Sequence, residues 1–143
     1  MGASSVDTEY VQLRSQTNNS TDITGWQLIG VQSGVRTTFP RGTTLPHQNG
    51  SGTLNDILLA PYADAVVVSG HPPQNQSYLE NACTDSIMNS SYEDCVSKHQ
   101  YDSGFTRTRW HLFLFQSHPI WRDRGDTLQL LDRSGKIVDQ YTY

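Results

Sequence analysis

Long hydrophobic runs and positive charge are what this sequence of 143 residues has least of. Its apolar runs, such as those at 65–68 and 112–115, span four residues, whereas a helix needs about 20 to cross a membrane. No membrane insertion is therefore expected. The formal net charge is −4, which removes the attraction that supplies most non-specific affinity for nucleic acid. DNA and RNA are accordingly disfavoured as partners.

Cysteine is equally scarce, since only Cys83 and Cys95 are present. Two interpretations compete: the cysteines form a disulfide, or they are two unrelated thiols. Zinc is disfavoured because the chain has no CxxC pair and no nearby histidine pair to complete a ligand set. We predict a disulfide, and because such bridges persist outside the reducing cytosol, we expect an extracytoplasmic protein, secreted or on the cell surface.

The length predicts one folded domain. Residues 1–7 are expected to be a tag or a flexible N-terminus, and residues 8–143 a single domain. Short β-branched or aromatic segments alternate with turns rich in Gly, Pro, Asn and Asp, which is typical of a sandwich or barrel. The expected strands lie at 9–14, 25–29, 35–39, 57–60, 65–69, 110–116, 127–131 and 136–141. We expect the first two to pair with each other, and the last two to form a hairpin around Asp132–Gly135.

The pattern changes between residues 70 and 109. From Ser77 to Gln100 the apolar residues lose their period of two, and we predict short helices held by Cys83 and Cys95. This stretch is interpreted as an insertion into the β framework. Its aromatic residues either form a partner surface or cover an open edge of the sandwich; they are Tyr78, Tyr92, Tyr101 and Phe105.

Several segments occur in an order that resembles a known family. They are Glu9-Tyr10-Val11-Gln12-Leu13, Asp22-Ile23-Thr24-Gly25-Trp26-Gln27-Leu28, Phe39-Pro40 with Gly42-Thr43-Thr44-Leu45, and Asp126-Thr127-Leu128-Gln129-Leu130-Leu131-Asp132 through Gly135-Lys136-Ile137-Val138-Asp139. This order resembles a lamin-tail domain, found at the end of nuclear lamins and in secreted or surface proteins of bacteria and archaea. The cysteine-bearing insertion looks closer to the prokaryotic version.

The resemblance implies an all-β fold, an immunoglobulin-like β-sandwich of the lamin-tail type with a small helical, disulfide-bearing insertion. The family's recurrent residues are mostly structural, so no catalytic residue is transferred. An indole can bury about 200 Å², and we place Trp26 at the centre of the core. The other predicted core residues are Val11, Leu13, Leu28, Leu128 and Leu130.

Side chains able to bind a metal or transfer protons are few. His111 and His118 with Asp123 form the best cluster, but they lack the spacing of a zinc motif, and we interpret them as surface or capping residues. No metal or other cofactor is expected. Arg124-Gly125-Asp126 spells a tripeptide that integrins bind, but here it precedes the strand at Thr127 and is interpreted as a turn.

One local basic concentration lies near aromatic residues, and guanidinium and aromatic faces can stack on bases or sugars. It is the candidate surface for a polyanion or a partner, with Phe105 and Trp110 interleaved, and comprises Arg107, Arg109, Trp121, Arg122 and Arg124.

These observations favour a non-catalytic accessory module of a larger extracytoplasmic protein that mediates binding or anchoring to a protein or a surface glycan. Two alternatives stay open at this point. One is a nuclear or filament structural tail domain. The other is a metal-dependent hydrolase or nuclease-associated domain. The sequence does not name the ligand.

Overall fold

A computed structural model describes residues 10–72, 75–116 and 125–142. Most of its secondary structure is extended. In chain order the strands are β1 (Tyr10–Arg14), β2 (Thr21–Asp22), β3 (Gln27–Gly30), β4 (Val35–Thr38), β5 (Gly42–Thr43), β6 (Leu54–Asn55), β7 (Leu58–Leu59), β8 (Asp64–Val68), β9 (Ser77–Asn81), β10 (Thr106–Phe113), β11 (Thr127–Leu131) and β12 (Ile137–Thr142). A 3₁₀ turn spans Thr84–Ser86, and one helix, α1, spans Tyr92–His99.

Two sheets form the body of the domain. The large sheet has six strands in the order β1-β8-β10-β9-β5-β6, and the small sheet has four in the order β12-β11-β3-β4. A short two-stranded pair, β2 with β7, is hydrogen-bonded into neither sheet. The main core contains buried residues of both sheets, among them Val67 and Leu112 of the large sheet and Leu28 and Leu128 of the small one. The fold is therefore an immunoglobulin-like β-sandwich, as predicted.

The expected pairing of the segments 9–14 and 25–29 is wrong. β1 pairs antiparallel with β8 in the large sheet, whereas β3 pairs with β11 and β4 in the small sheet. Both strands alternate apolar and polar residues, and such alternation reveals which face is buried but not which neighbour lies alongside. Because the intervening residues cross from one sheet to the other, the two strands contribute to opposite layers of the sandwich.

The indole at the centre of the core belongs to Trp110, not to Trp26. Trp110 is 2% exposed, and its Nε1–H donates to the carbonyl oxygen of Leu58 at 3.1 Å. Trp26 precedes β3 and follows Gly25, whose φ of +80° marks a turn, so its ring lies at the side of the core and is only partly buried. Trp110 lies in β10, which is paired on both sides in the large sheet, whereas Trp26 lies at a turn before β3.

The other predicted core residues divide into two groups. Leu28 and Leu128 are buried. Val11, Leu13 and Leu130 pack against the core but are only partly buried. The three partly buried side chains lie on or beside strands at one margin of the sandwich, where the two sheets are not closed over each other.

The segment at 70–109 is more than a helical insertion. Its first part forms β9, which lies inside the large sheet between β10 and β5, where helices were predicted. Three of its five residues are buried, Ser77, Tyr78 and Asn81, so the strand lacks the polar-apolar alternation that would have identified it. The 3₁₀ turn and α1 follow and pack on the outer face of the sheet.

The cysteines form the predicted disulfide, with Cα atoms 6.0 Å apart. Cys83 precedes the 3₁₀ turn and Cys95 lies in α1. Around them a second apolar cluster contains Tyr92, Val96 and Phe113. The bridge thus fastens the helical part of the segment to the outer face of the large sheet. The predicted hairpin between the last two strands is also confirmed, with Gly135 at a φ of +91° in its turn.

Candidate binding groove at the open margin of the sandwich

An open groove of about 320 Å³ lies where the two sheets end side by side. Its walls come from β1 in the large sheet and from β3, β11 and β12 in the small sheet. The apolar floor consists of residues that the sequence assigns to the core: Val11, Leu13, Leu28, Leu128 and Leu130. Its polar rim consists of Gln12, Asp139, Gln140 and Tyr141. We call these nine residues the edge groove.

Both strands that border the groove are sheet edges. In the described residues, β1 pairs only with β8 and β12 pairs only with β11. An edge strand presents N–H and C=O groups that a further strand can use. All six residues of β12 are exposed, including Val138 and Tyr141, which are 48% and 65% exposed. The apolar floor therefore adjoins two strands that each have one strand neighbour among the described residues.

The direction of the main-chain groups on β12 follows from its neighbours. Thr127 accepts from the N–H of Val31 on the β3 side, and main-chain direction alternates along an antiparallel strand. Leu128 and Leu130 must then bond in the other direction, to Tyr141 and Asp139, their partners on β12. The N–H and C=O of Gln140 consequently point to the free edge.

Asp139 occupies part of that free edge. Its Oδ1 accepts a hydrogen bond from the backbone N–H of Gln140 at 2.8 Å. Asp139 and Tyr141 are registered opposite Leu130 and Leu128, and directly opposed residues share a face of the sheet. Both side chains thus project on the face that carries the apolar floor, so one carboxylate stands beside an apolar surface.

A separate ion pair lies on the large sheet beside the groove residue Gln12. On the β1 side, Asp64 accepts from Gln12 Nε2 at 2.6 Å and from Arg109 Nη2 at 3.1 Å. Burial of Asp64 opposes its ionisation, but the hydrogen bonds from Arg109 and Gln12 outweigh this and lower its pKa. Among the described residues no lysine, arginine or histidine forms an ion pair with Asp139.

The structure only partly describes the predicted basic surface. Arg107 and Arg109 are exposed on β10, and Arg109 is paired with Asp64. Phe105 and Trp110, expected to provide stacking faces, are 4% and 2% exposed and are therefore unable to stack on a ligand. Trp121, Arg122 and Arg124 lie outside the described residues.

Of the best candidates for a metal or hydrolytic cluster, which we interpret as surface or capping residues, the structure describes His111. The ring of His111 stacks on Tyr78 with centroids 4.9 Å apart, and its Nε2 lies 3.2 Å from Glu80. Burial, with a contribution from Glu80, raises the pKa of Tyr78 to about 12. His118 and Asp123 lie outside the described residues, and the described part of the chain holds no group of three or more His, Cys, Asp or Glu side chains able to bind a metal.

Asp126, the last residue of the Arg-Gly-Asp tripeptide, is 1% exposed. Its Oδ1 accepts from the N–H of Gln32 and from its neighbour Thr127, each at 2.7 Å. Because it accepts both bonds, the carboxylate fastens the start of β11 to the loop after β3. It is not presented to a receptor.

A second polar network ties the 46–48 loop to α1. Glu93 accepts from the N–H of Gln48 at 2.8 Å and lies 3.0 Å from His47 Nδ1. Burial acts against ionisation of Glu93, but the bonds from His47 and Gln48 lower its pKa. The Tyr92 hydroxyl donates to the Pro46 carbonyl at 2.6 Å. These contacts position the helix and are structural.

Most aromatic residues of the 70–109 segment cover the sheet. Tyr78, Tyr92 and Phe105 are buried, whereas Tyr101 is 91% exposed. The three buried residues belong to the apolar cluster around the disulfide, so they cover a face of the large sheet and not the open edge that we expected them to cover. No helix of the described residues is long and apolar enough to span a membrane.

Asp139, Gln140 and Tyr141 were not among the predicted site residues. The signal was present, since Asp139 interrupts the apolar face that Ile137 and Tyr141 would otherwise share in a strand of period two. A carboxylate at such a position marks either an edge or a binding face.

The family model described as Lamin Tail Domain matches residues 1–143. Searches of curated proteins and of solved structures found no significant match. The match covers the 70–109 segment as well as the β framework that carries the resemblance.

Proposed function

Because this chain belongs to the lamin tail domain family, a family of non-catalytic immunoglobulin-like domains, we propose that it is a non-catalytic accessory module of a larger extracytoplasmic protein. In this proposal it binds a protein partner through the edge groove and thereby anchors or positions the protein that carries it. Function in such folds resides in the site rather than in the scaffold, so the groove carries the proposal.

The supporting observation is the combination of an apolar floor with two strands that lie at sheet edges in the described part of the chain. Apolar surface gains free energy when it leaves water, and an edge strand offers main-chain hydrogen bonds to an incoming chain. Leu130 and Tyr141 contribute apolar surface, and the backbone of Gln140 offers main-chain hydrogen bonds. A protein ligand can use both, whereas a surface glycan, the other partner class considered, has no peptide backbone with which to extend the sheet.

The disulfide supports an extracytoplasmic location. Closing the loop between Cys83 and Cys95 stabilises the fold by about 3 kcal/mol if the bridge acts through chain entropy, and that gain is available only where thiols are oxidised. A nuclear or filament tail would lose it. Alkylation of the protein in its native host without prior reduction tests this point, since we expect both cysteines to be protected. Two alkylated thiols would overturn the location.

Site-specific photo-cross-linking tests the binding role. p-Benzoylphenylalanine is placed at Tyr141 in the edge groove and, as a matched control, at Tyr101, which is 91% exposed on the far segment. In the full-length parent protein, expressed in its native host, we expect a cross-linked protein adduct from position 141 and none from position 101. Equal adducts from both positions, or none from position 141, would overturn the proposal.

A further inference from the structure

We propose that the occupant of the edge groove is an extended segment of the partner protein that adds a strand to β12 and places a lysine or arginine side chain against Asp139. This inference rests on the proposed function, since it names the chemistry of the ligand that the groove takes. It is carried by the direction of the main-chain groups, the position of one carboxylate and the apolar floor beside it.

The backbone of β12 at Gln140 favours an extended ligand. The N–H and C=O of Gln140 point away from β11, as the bonds of Thr127 and the register of β12 require. Strand addition uses such outward groups and fixes the direction and register of the ligand. A compact or branched ligand would leave them without partners. An extended peptide therefore matches this edge better than a globular surface or a small molecule does.

The carboxylate of Asp139 favours a cationic side chain on the ligand. Asp139 Oδ1 holds the N–H of Gln140 at 2.8 Å, so an incoming strand cannot bond to that N–H until the carboxylate moves. A cationic side chain on the ligand attracts the carboxylate and gives it a charge-assisted bond in exchange. A neutral ligand offers no such exchange. Asp139 thus acts as a specificity element that favours basic segments and also protects the free edge from indiscriminate pairing.

The apolar floor favours a hydrophobic residue near the basic one. Residues two apart on a strand face the same side, and Asp139 and Tyr141 are two apart. A ligand residue two positions from the basic one therefore faces Tyr141 and the floor formed by Leu128 and Leu130. The expected motif is a lysine or arginine separated by one residue from a large apolar or β-branched residue.

Charge complementarity argues against a second copy as the occupant. The chain carries a net charge of −4, and β12 of another copy would bring its own Asp139 to the same edge. Two carboxylates brought to the same edge repel each other. A basic segment of a different protein brings a positive charge to the same edge and is attracted to it.

Peptide binding to the purified domain tests the inference. Three fluorescein-labelled peptides share an extended host sequence with one isoleucine and differ two residues away, where they carry lysine, glutamine or glutamate. By fluorescence polarisation we expect the lysine peptide to bind about tenfold more tightly than the glutamine peptide, as a charge-assisted bond implies, and the glutamate peptide to bind most weakly. Raising the salt concentration should weaken the lysine peptide most.

Two variants separate the charge from the backbone. Asp139→Asn keeps the shape of the side chain but should bring the lysine and glutamine peptides to equal affinity. Gln140→Pro removes the outward N–H and should abolish binding of all three peptides, because an added strand needs that donor. The variant should still fold, since proline is tolerated at edge positions whose N–H is not used within the sheet. The control is Asp94→Asn, which removes the same charge from the exposed surface of α1 and should leave the three affinities unchanged. Thermal melting establishes that each variant is folded.

Other outcomes are equally decisive. If the lysine and glutamine peptides bind the unmodified domain equally, the role of Asp139 is wrong. If no peptide binds while position 141 still cross-links to a partner in the host, the binding role stands and the extended basic ligand is overturned. If sedimentation reveals a dimer that Gln140→Pro dissociates, the occupant is a second copy and this inference fails.

Discussion

The carboxylate of Asp139 accepts a hydrogen bond from the backbone N–H of Gln140, the next residue, at 2.8 Å. In the middle of a sheet that N–H would donate to a neighbouring strand. Here β12 is an edge, and the side chain of the preceding residue takes the place of the absent strand. The same carboxylate stands beside the apolar floor of the edge groove, which makes it both a guard of the edge and a contact for a cationic ligand.

Removal of this carboxylate should promote self-association. Asp139→Val frees the N–H of Gln140 and extends the apolar face of β12, so we expect dimerisation to strengthen by at least a few-fold. Sedimentation velocity over a concentration series measures the change. The control is Asp94→Val, which removes the same charge from the exposed surface of α1, where Asp94 pairs with Lys98. Equal behaviour of the two variants would show that Asp139 does not guard the edge.

Trp110 should contribute more to stability than Trp26. Trp110→Ala opens a cavity among fully buried residues and breaks the bond to Leu58, so we expect a loss of about 3–5 kcal/mol in the free energy of unfolding. Trp26→Ala should cost about 1–2 kcal/mol, because its ring is only partly buried. Urea unfolding measures both. The reverse order would place the centre of the core at the other indole.

The disulfide should stabilise the segment on the outer face of the large sheet. The double change Cys83→Ser with Cys95→Ser is expected to lower the free energy of unfolding by about 3 kcal/mol. A reducing agent should have the same effect on the unmodified protein and none on the double variant. If reduction leaves the melting temperature of the unmodified protein unchanged, the bridge contributes nothing to its stability.

Glu93 should make stability fall in mild acid. Its pKa in the folded protein is lowered from the ordinary value of 4.5 by the bonds from His47 and Gln48, which outweigh burial. Its contribution is therefore complete above pH 4.5 and declines as the pH falls through the lowered folded pKa. Glu93→Gln should flatten the pH dependence of the melting temperature in that range. Glu80→Gln, which alters the pair with His111, is the comparison, and equal flattening would contradict the assignment.

Asp126 should act as a structural residue. Asp126→Ala leaves the N–H groups of Gln32 and Thr127 without their acceptor, and we expect a loss of about 2–4 kcal/mol in the free energy of unfolding. Asp85→Ala, at an exposed position, should change stability by less than about 0.5 kcal/mol. Chemical denaturation measures both variants. A negligible loss at Asp126 together with cell adhesion through Arg-Gly-Asp would mean that the carboxylate is presented outward after all.

The two halves of the fold differed in how far pattern analysis reached. The hairpin of β11 and β12 was predictable because turn and strands are adjacent in sequence and Gly135 supplies the positive φ that the turn requires. β9 was not predictable in this way, because a strand that is buried on both faces shows no alternation of polar and apolar residues. The partners of β1 and β3 were missed for a related reason, because pairing between distant segments leaves no local signal.

The amino-acid sequence by itself determined the all-β class, the family, the pairing of Cys83 with Cys95 and most strand positions, since each depends on local patterns or on motif order. Only the tertiary structure decided that Trp110 rather than Trp26 fills the centre, that Asp126 is buried, and that leucines assigned to the core form the floor of an open groove. Burial depends on which segments meet across the two sheets, and those meetings join residues far apart in the chain. The chemistry at Asp139 exists because β12 ends one sheet beside the edge of the other.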